Sequence, residues 1–350
     1  MNNLYDYIIN PKTGKKCKVK GVIGNKIIKQ YLNLLKNKKG GNYNNPSENV
    51  GGDHHDNKNK MYCAPGKDTG TSCFSLESLK KIGKTWNSKN NDKIKIVNNK
   101  KVLWNNINKI FKKNTKCKSG NDKCWLSLEN VEKLNNNEIN ENTFRPKMPD
   151  DWKNDKTSWL STTDIANVLN QYKNTHKDLE IIGPVPLDFD TKLVNNSTMQ
   201  LCVADELCKM NIKKLLKKGI RKIAIIFNLD KHNEPGSHWV SMFVDLNEGC
   251  NYFFDSFGHK PVNEIQILMN RIKEQVDELI KKNEYKIKNS EFKNIVNSTE
   301  YQEDGHSCGL YSIDFMVRFI EGGSYKKIKN DKNITDKLMD FNKFNKYFNI

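Results

Sequence analysis

The stretch HWVSMFVDLNEGCNYFFD, residues 238–255, holds two runs rich in β-branched and aromatic residues, HWVSMFVDL and NYFFD, joined by the short turn NEGC. Such runs on either side of a tight turn predict two neighbouring antiparallel strands. That pairing brings the start of the first strand and the end of the second to one edge of the sheet, so His238 and Asp255 meet there. Asp245 falls at the opposite edge and is expected to serve only the turn. Outward from this hairpin, RKIAIIFNL (221–229) and EFKNIVNS (291–298) predict further strands. SWLSTTDIANVLNQY (158–172) predicts a helix capped by Ser161 or Thr162. VNEIQILMNRIKEQVDELIKK (262–282) predicts another, with Ile265, Leu268, Met269, Ile272 and Val276 at helical spacing. CGLYSIDFMVRFI (308–320) predicts a third, largely buried. Strands, then helix, strand and helix give an α+β domain.

The 350 residues can hold one large domain or two modest ones, and the pattern divides them. Residues 1–38 read as a basic module, with Ile27, Ile28, Tyr31, Leu32, Leu34 and Leu35 on one face of a short helix. Residues 39–60, polar and rich in Gly and Asn, read as a flexible linker. Residues 61–150 read as a mainly helical N-terminal region, with Ser75 capping its first helix. The α+β domain is expected at 151–325, followed by a C-terminal tail at 326–350.

Lys and Arg number 59 against 41 Asp and Glu, a formal charge of +18. The lysines form no single stripe, and most of the excess follows a general bias toward Lys and Asn. Its functional reading is a non-specific nucleic-acid partner. Nine cysteines in a chain of this length exclude a small disulfide scaffold and leave free thiols in a reducing, cytosol-like compartment as the expectation. Cys117/Cys124 and Cys202/Cys208 are spaced more widely than zinc ligands, so no metal is expected. The start carries no leader pattern and no apolar run reaches membrane-spanning length, so no membrane partner is expected.

Cys308 stands between the polar run YQEDGHS and an apolar helix. A helix N-terminus favours a thiolate, a nearby histidine can complete its activation, and Gly309 is expected to keep the approach to the sulfur open. Of seven histidines, His54 and His55 lie in the linker, and His176, His232 and His259 lie in connections. His306 lies in the Cys308 loop itself. His238 opens a hydrophobic strand, a position that fits either a base or a half-exposed strand opener. A carboxylate accepting its Nδ1–H would orient the ring, and Asp255 is placed to do so. Gln302 can offer a side-chain amide, and Cys308 its backbone N–H, to an oxyanion.

His238-Trp239, Asp255-Ser256 and Gln302-x5-Cys308-Gly309, in that order, resemble the cysteine peptidases that process SUMO and related ubiquitin-like proteins. They resemble equally the maturation proteases of adenovirus, poxvirus and African swine fever virus. The resemblance covers roughly residues 150–322 and implies a mixed central sheet flanked by helices. It implies His238 as base, Asp255 as its orienter, Cys308 as nucleophile and Gln302 as oxyanion donor. Trp159 and Trp239 would flank a narrow tunnel that admits only small residues. The implied activity is a cysteine endopeptidase cleaving Gly-Gly-X sites in viral core or capsid polyproteins, in the host cytoplasm and the virion. Processing of a ubiquitin-like modifier is the first alternative, and an inactive nucleic-acid-binding virion protein the second. No cofactor is implied beyond an activating peptide or DNA. NPKTGKK…GVIGNKIIKQYL resembles a small adaptor module of large DNA viruses; that module has two cysteines, and only Cys17 is evident here.

Overall fold

The computed structural model describes residues 7–9, 16–18, 63–67, 71–117, 120–134, 139–193 and 201–349. The chain divides into two compact units, Met1–His55 and Asp56–Ile350. In the first, β1 (Tyr7–Ile9) pairs antiparallel with β2 (Lys16–Lys18). The helix expected over 27–35 and the linker at 39–60 lie outside the described residues.

The second unit opens with a helical region built on α1 (Leu76–Lys89) and α2 (Lys100–Asn114), followed by two short helices, α3 (Asp122–Trp125) and α4 (Glu129–Glu132). Ser75 caps α1 by accepting the Ser78 N–H, as its position before an amphipathic run predicts. Phe74, Trp86, Phe111, Trp125 and Phe144 form the centre of a separate apolar core. Disulfides Cys63–Cys73 and Cys117–Cys124 cross-link this region, and Cys202–Cys208 links a loop of the following domain. The expectation of free thiols is therefore corrected for these six; Cys250 and Cys308 remain free. Sequence spacing cannot tell which thiols the fold turns toward each other.

The helical region is followed by α5 (Thr162–Thr175), whose Ser161 and Asp164 form a reciprocal capping box. Then come β3 (Leu179–Pro186), the short pair β4 (Lys192–Leu193) and β5 (Leu201–Cys202), and the short helices α6 (Asp205–Cys208) and α7 (Ile212–Lys217). Next are β6 (Lys222–Asn228), β7 (Trp239–Asp245), β8 (Cys250–Phe254), α8 (Asn263–Lys281), β9 (Lys293–Val296) and α9 (Cys308–Ile320). The main sheet runs β3-β6-β7-β8-β9, with both outer pairs parallel and the inner pairs antiparallel. It is buried on both faces, so its central strands alternate between two cores rather than between core and water. Ala224, Ile226, Phe243 and Phe254 meet α5 and α9. Ile223, Ile225, Val240, Met242 and Phe253 meet α8.

All of α9 except Arg318 is buried, which makes it the central helix of its face. Residues 326–349 are not a tail. α10 (Tyr325–Lys329), α11 (Asp336–Asn342) and a π-helical turn, Lys343–Tyr347, bury Ile328, Ile334, Met339, Tyr347 and Phe348 in the α9 core. Their short, Lys- and Asn-rich apolar pattern hides this. The domain also starts before 151: Met148 N–H donates to Asn349 O at 2.9 Å, and Trp152 packs on Phe348 at 4.9 Å. Buried Asp314 of α9 accepts Tyr347 Oη–H at 2.7 Å, Asn342 Nδ2–H at 3.1 Å and Arg318 Nε–H at 2.5 Å. Replacing Asp314 by alanine removes the acceptor for all three, and the expected loss is about 3 kcal/mol of stability. A thermal or urea melt of the variant measures it.

Candidate active site

The insertion between β6 and β7 is tied off so that His238 returns in register. Asn228 Oδ1 accepts the Asp230 and Ser237 N–H groups, and Asp230 accepts Ser237 Oγ–H at 2.6 Å and the Gly236 N–H at 3.1 Å. Leu229 N–H then donates to His238 O at 2.9 Å, and Trp239 pairs with Asn228. Antiparallel pairing of β7 with β8 carries Asp255 to the same edge, as the hairpin reading requires. His238 Nε2 lies 2.8 Å from Asp255 Oδ1. Asp245, at the far edge, accepts the Glu248 N–H in the turn.

The sequence argument put Nδ1 on the carboxylate; the structure puts Nε2 there. The ring enters from the strand start, and stacking on Phe257, with centroids 5.1 Å apart, holds its plane. The Cys308 side chain lies near enough to the same imidazole to favour its charged form, so the ring has both thiol and carboxylate as neighbours. Burial opposes charge on His238, but the hydrogen bond to Asp255, the neighbouring Cys308 and the two negative charges outweigh it. The imidazolium is pushed up to about 10. The arrangement can therefore store a thiolate–imidazolium pair.

Cys308 is 3% exposed and is the first residue of α9. A first-turn N–H has no carbonyl within its own helix, so that of Cys308 can face a ligand. The reading of Gly309 is corrected. A Cβ there would lie 3.1 Å from Leu160 Cβ and 3.2 Å from Trp239 Cδ1, so the glycine lets the N-terminal turn of α9 approach this wall. Trp239 is buried at 5% exposure with Nε1–H donating to Leu160 O at 3.1 Å, while Trp159 is 44% exposed. The two indoles thus differ in environment: one is packed under Gly309 and the other is presented to solvent.

Gln302 is buried. Its Oε1 accepts Ser256 Oγ–H at 2.6 Å, and its Nε2 donates to Asp304 O at 3.1 Å and Asp304 Oδ1 at 3.0 Å. Ser256 O accepts the Tyr301 and Gln302 N–H groups, which docks this loop beside Asp255. His306, two residues from Cys308, lies near Asp304 and Asp340.

Several groups escaped the sequence argument. Phe257 N–H donates to Asp255 Oδ1 at 2.9 Å, and His259 Nδ1 lies 3.3 Å from Asp255 Oδ2. Asp304 sits in the Cys308 loop, and Asp336 of α11 lies behind it. For Asp304 the signal was an aspartate before a glycine just upstream of a helix, a position suited to backbone N–H groups. Asp336 had none. Among the described residues no group of side chains could hold a metal ion, and no helix is long and apolar enough to cross a membrane.

Residues 207–349 match the model of the Ulp1 protease family, C-terminal catalytic domain. A provisionally named thiol protease of Acanthamoeba polyphaga mimivirus is 34% identical over 211 residues, 59% of this chain and 60% of that protein. A cysteine protease of African swine fever virus is 28% identical over 128 residues, 36% of this chain and 44% of that protein. The matches thus span less than two thirds of either relative's length. In fold, the chain is similar to the crystal structure of an African swine fever virus protease. The TM-score is 0.54 at 19% identity, covering 83% of this chain and 96% of that one. The α+β reading and the mixed sheet hold, and residues 207–349 are similar to the catalytic domain of the Ulp1 protease family.

Proposed function

We propose that the chain is a cysteine endopeptidase that cleaves after Gly-Gly or a similar small pair, acting on viral core or capsid polyproteins. The observation that carries the reading is one imidazole held on Asp255 Oδ1 at 2.8 Å, with Cys308 at the first position of α9 near enough to favour its charge. The Cys308 thiolate attacks the scissile carbonyl carbon, and the carbonyl π pair moves onto oxygen. Gln302 and the Cys308 N–H are the candidate donors to that oxyanion. Collapse of the intermediate breaks the C–N bond while His238 gives its proton to the leaving amine. Water, deprotonated by the same imidazole, then attacks the thioester and releases Cys308.

Restriction to small residues is supported by the wall of Leu160 and Trp239, which is already in contact range of a Cβ at Gly309. Peptides of the form Gly-Gly-X, with each glycine replaced in turn by alanine, valine and leucine, test it. The expected order of kcat/KM is a steep fall with side-chain size. Equal cleavage of the valine peptides would sink the Gly-Gly assignment. A second reading, processing of a ubiquitin-like modifier, is supported by relatives from African swine fever virus that are named as SUMO-1 cysteine proteases. Cleavage of a SUMO precursor in preference to virion polyproteins would favour it.

A further inference from the structure

We infer that Asp304 is a positioning residue that holds the Gln302 amide and the turn into Cys308 as one rigid oxyanion unit, anchored from behind by Asp336. The inference rests on the protease reading and adds how the oxyanion site is built.

One carboxylate joins two stretches of loop. Asp304 Oδ1 accepts Gln302 Nε2–H at 3.0 Å, the His306 N–H at 2.9 Å and the Ser307 N–H at 2.9 Å. Oδ2 accepts Ser307 Oγ–H at 2.6 Å. Ser307 is the cap residue directly before Cys308, so the same side chain touches the candidate donor amide and the residue that delivers the nucleophile. A residue that only capped α9 would have no reason to take hold of the Gln302 side chain. With Ser256 on Oε1 and Asp304 on Nε2, the amide cannot flip. A primary amide has two N–H bonds, and Asp304 offers Nε2 two acceptors, its carbonyl O and Oδ1, which fix the direction in which the amide points.

Hydrogen bonds to a charged acceptor are the stronger kind. Burial opposes the charge on Asp304, but the Ser307 and His306 hydrogen bonds keep its carboxyl below the usual range. The loop is fixed in turn from the C-terminal segment. Asp336 Oδ2 accepts the Glu303 N–H at 3.1 Å and the Asp304 N–H at 2.8 Å. Tyr311 of α9 reaches Asp336 Oδ1 at 2.8 Å, which ties the loop, α11 and the nucleophile helix together.

Two reagents that need no knowledge of the natural substrate separate positioning from folding. p-Nitrophenyl acetate acylates Cys308 through a tetrahedral oxyanion, whereas iodoacetamide alkylates the thiolate by displacement without one. In Asp304→Ala the acylation rate is expected to fall about 10²-fold, the range for loss of one oxyanion donor, with alkylation little changed. Asp304→Asn, which keeps an Oδ1 acceptor, should recover most of the loss. The double variant Asp304→Ala/Gln302→Ala should be little slower than Gln302→Ala alone, because the two act as a unit. Equal falls in both reactions, or losses that multiply in the double variant, would overturn the inference. If Asp304→Ala does not fold, Asp336→Asn carries the test: acylation should fall more than alkylation, and an equal fall overturns it. A wild-type Cys308 that reacts with both reagents no faster than free cysteine would sink the protease reading, and this inference with it. Failure of the inference alone shows only in the variants.

Discussion

Replacing Cys308 by alanine is expected to abolish peptide cleavage, with a loss on the order of 10⁴- to 10⁶-fold in kcat, the scale seen when a nucleophile is removed from a catalytic triad. The fold should survive. Cys308 sits at the first position of α9, and most of the apolar core residues of that helix, Leu310, Ile313, Phe315, Met316 and Val317 among them, lie farther along it. The alanine side chain fits the same site without its sulfur. Substrate should still bind, because the Leu160 and Trp239 wall and the Asp304 turn are untouched. Residual cleavage of Gly-Gly-X peptides, compared with wild type at equal protein concentration, is the measurement. Cleavage at the wild-type rate would remove the protease reading altogether.

The second large effect is expected for Asp255→Asn, and its signature is a shift in pH dependence as well as a loss of rate. The imidazolium of His238, at about 10, is held up against burial first by the hydrogen bond to Asp255 and then by Cys308. Below that value the imidazole is protonated and can give its proton to the leaving amine. Above it the imidazole is neutral and cannot protonate the leaving amine. Asparagine removes the charge and one of the two oxygen acceptors, while burial, which lowers the value, remains. The alkaline limb of kcat/KM should therefore move down by roughly one to three pH units. The rate at neutral pH should fall about 10²- to 10⁴-fold, through loss of proton transfer and of ring orientation. A pH series on wild type and variant reads both. An alkaline limb that stays in place would show that Asp255 does not set the state of His238.

Much of the site was legible because two features are local. The alternation in HWVSMFVDL and NYFFD and the intervening turn set an antiparallel pair, and that geometry alone brought His238 to Asp255. The switch from YQEDGHS to CGLYSIDFMVRFI marked a helix start, and with it a sulfur at a helix N-terminus. The Ser161 and Ser75 caps were visible for the same reason, since a cap is made with residues three positions away. Gly309 was noticed but misread. A glycine announces that a Cβ is unwelcome without saying which neighbour excludes it, and the neighbours here are Leu160 and Trp239.

The sequence by itself determined the α+β class, four of the five strands of the main sheet with the helices that pack on them, and the pairing of His238 with Asp255; β3 (Leu179–Pro186) was not read from it. Each follows from periodicity or from contacts between adjacent elements. The tertiary structure alone decided that Nε2 faces Asp255, that six cysteines pair, and that residues 326–349 belong to the core. It alone placed Asp336 on the loop of Asp304, thirty-two positions away. These outcomes depend on which surfaces packing turns toward each other and on the direction of single N–H bonds. Neither quantity repeats along the chain, so no pattern of residues records it.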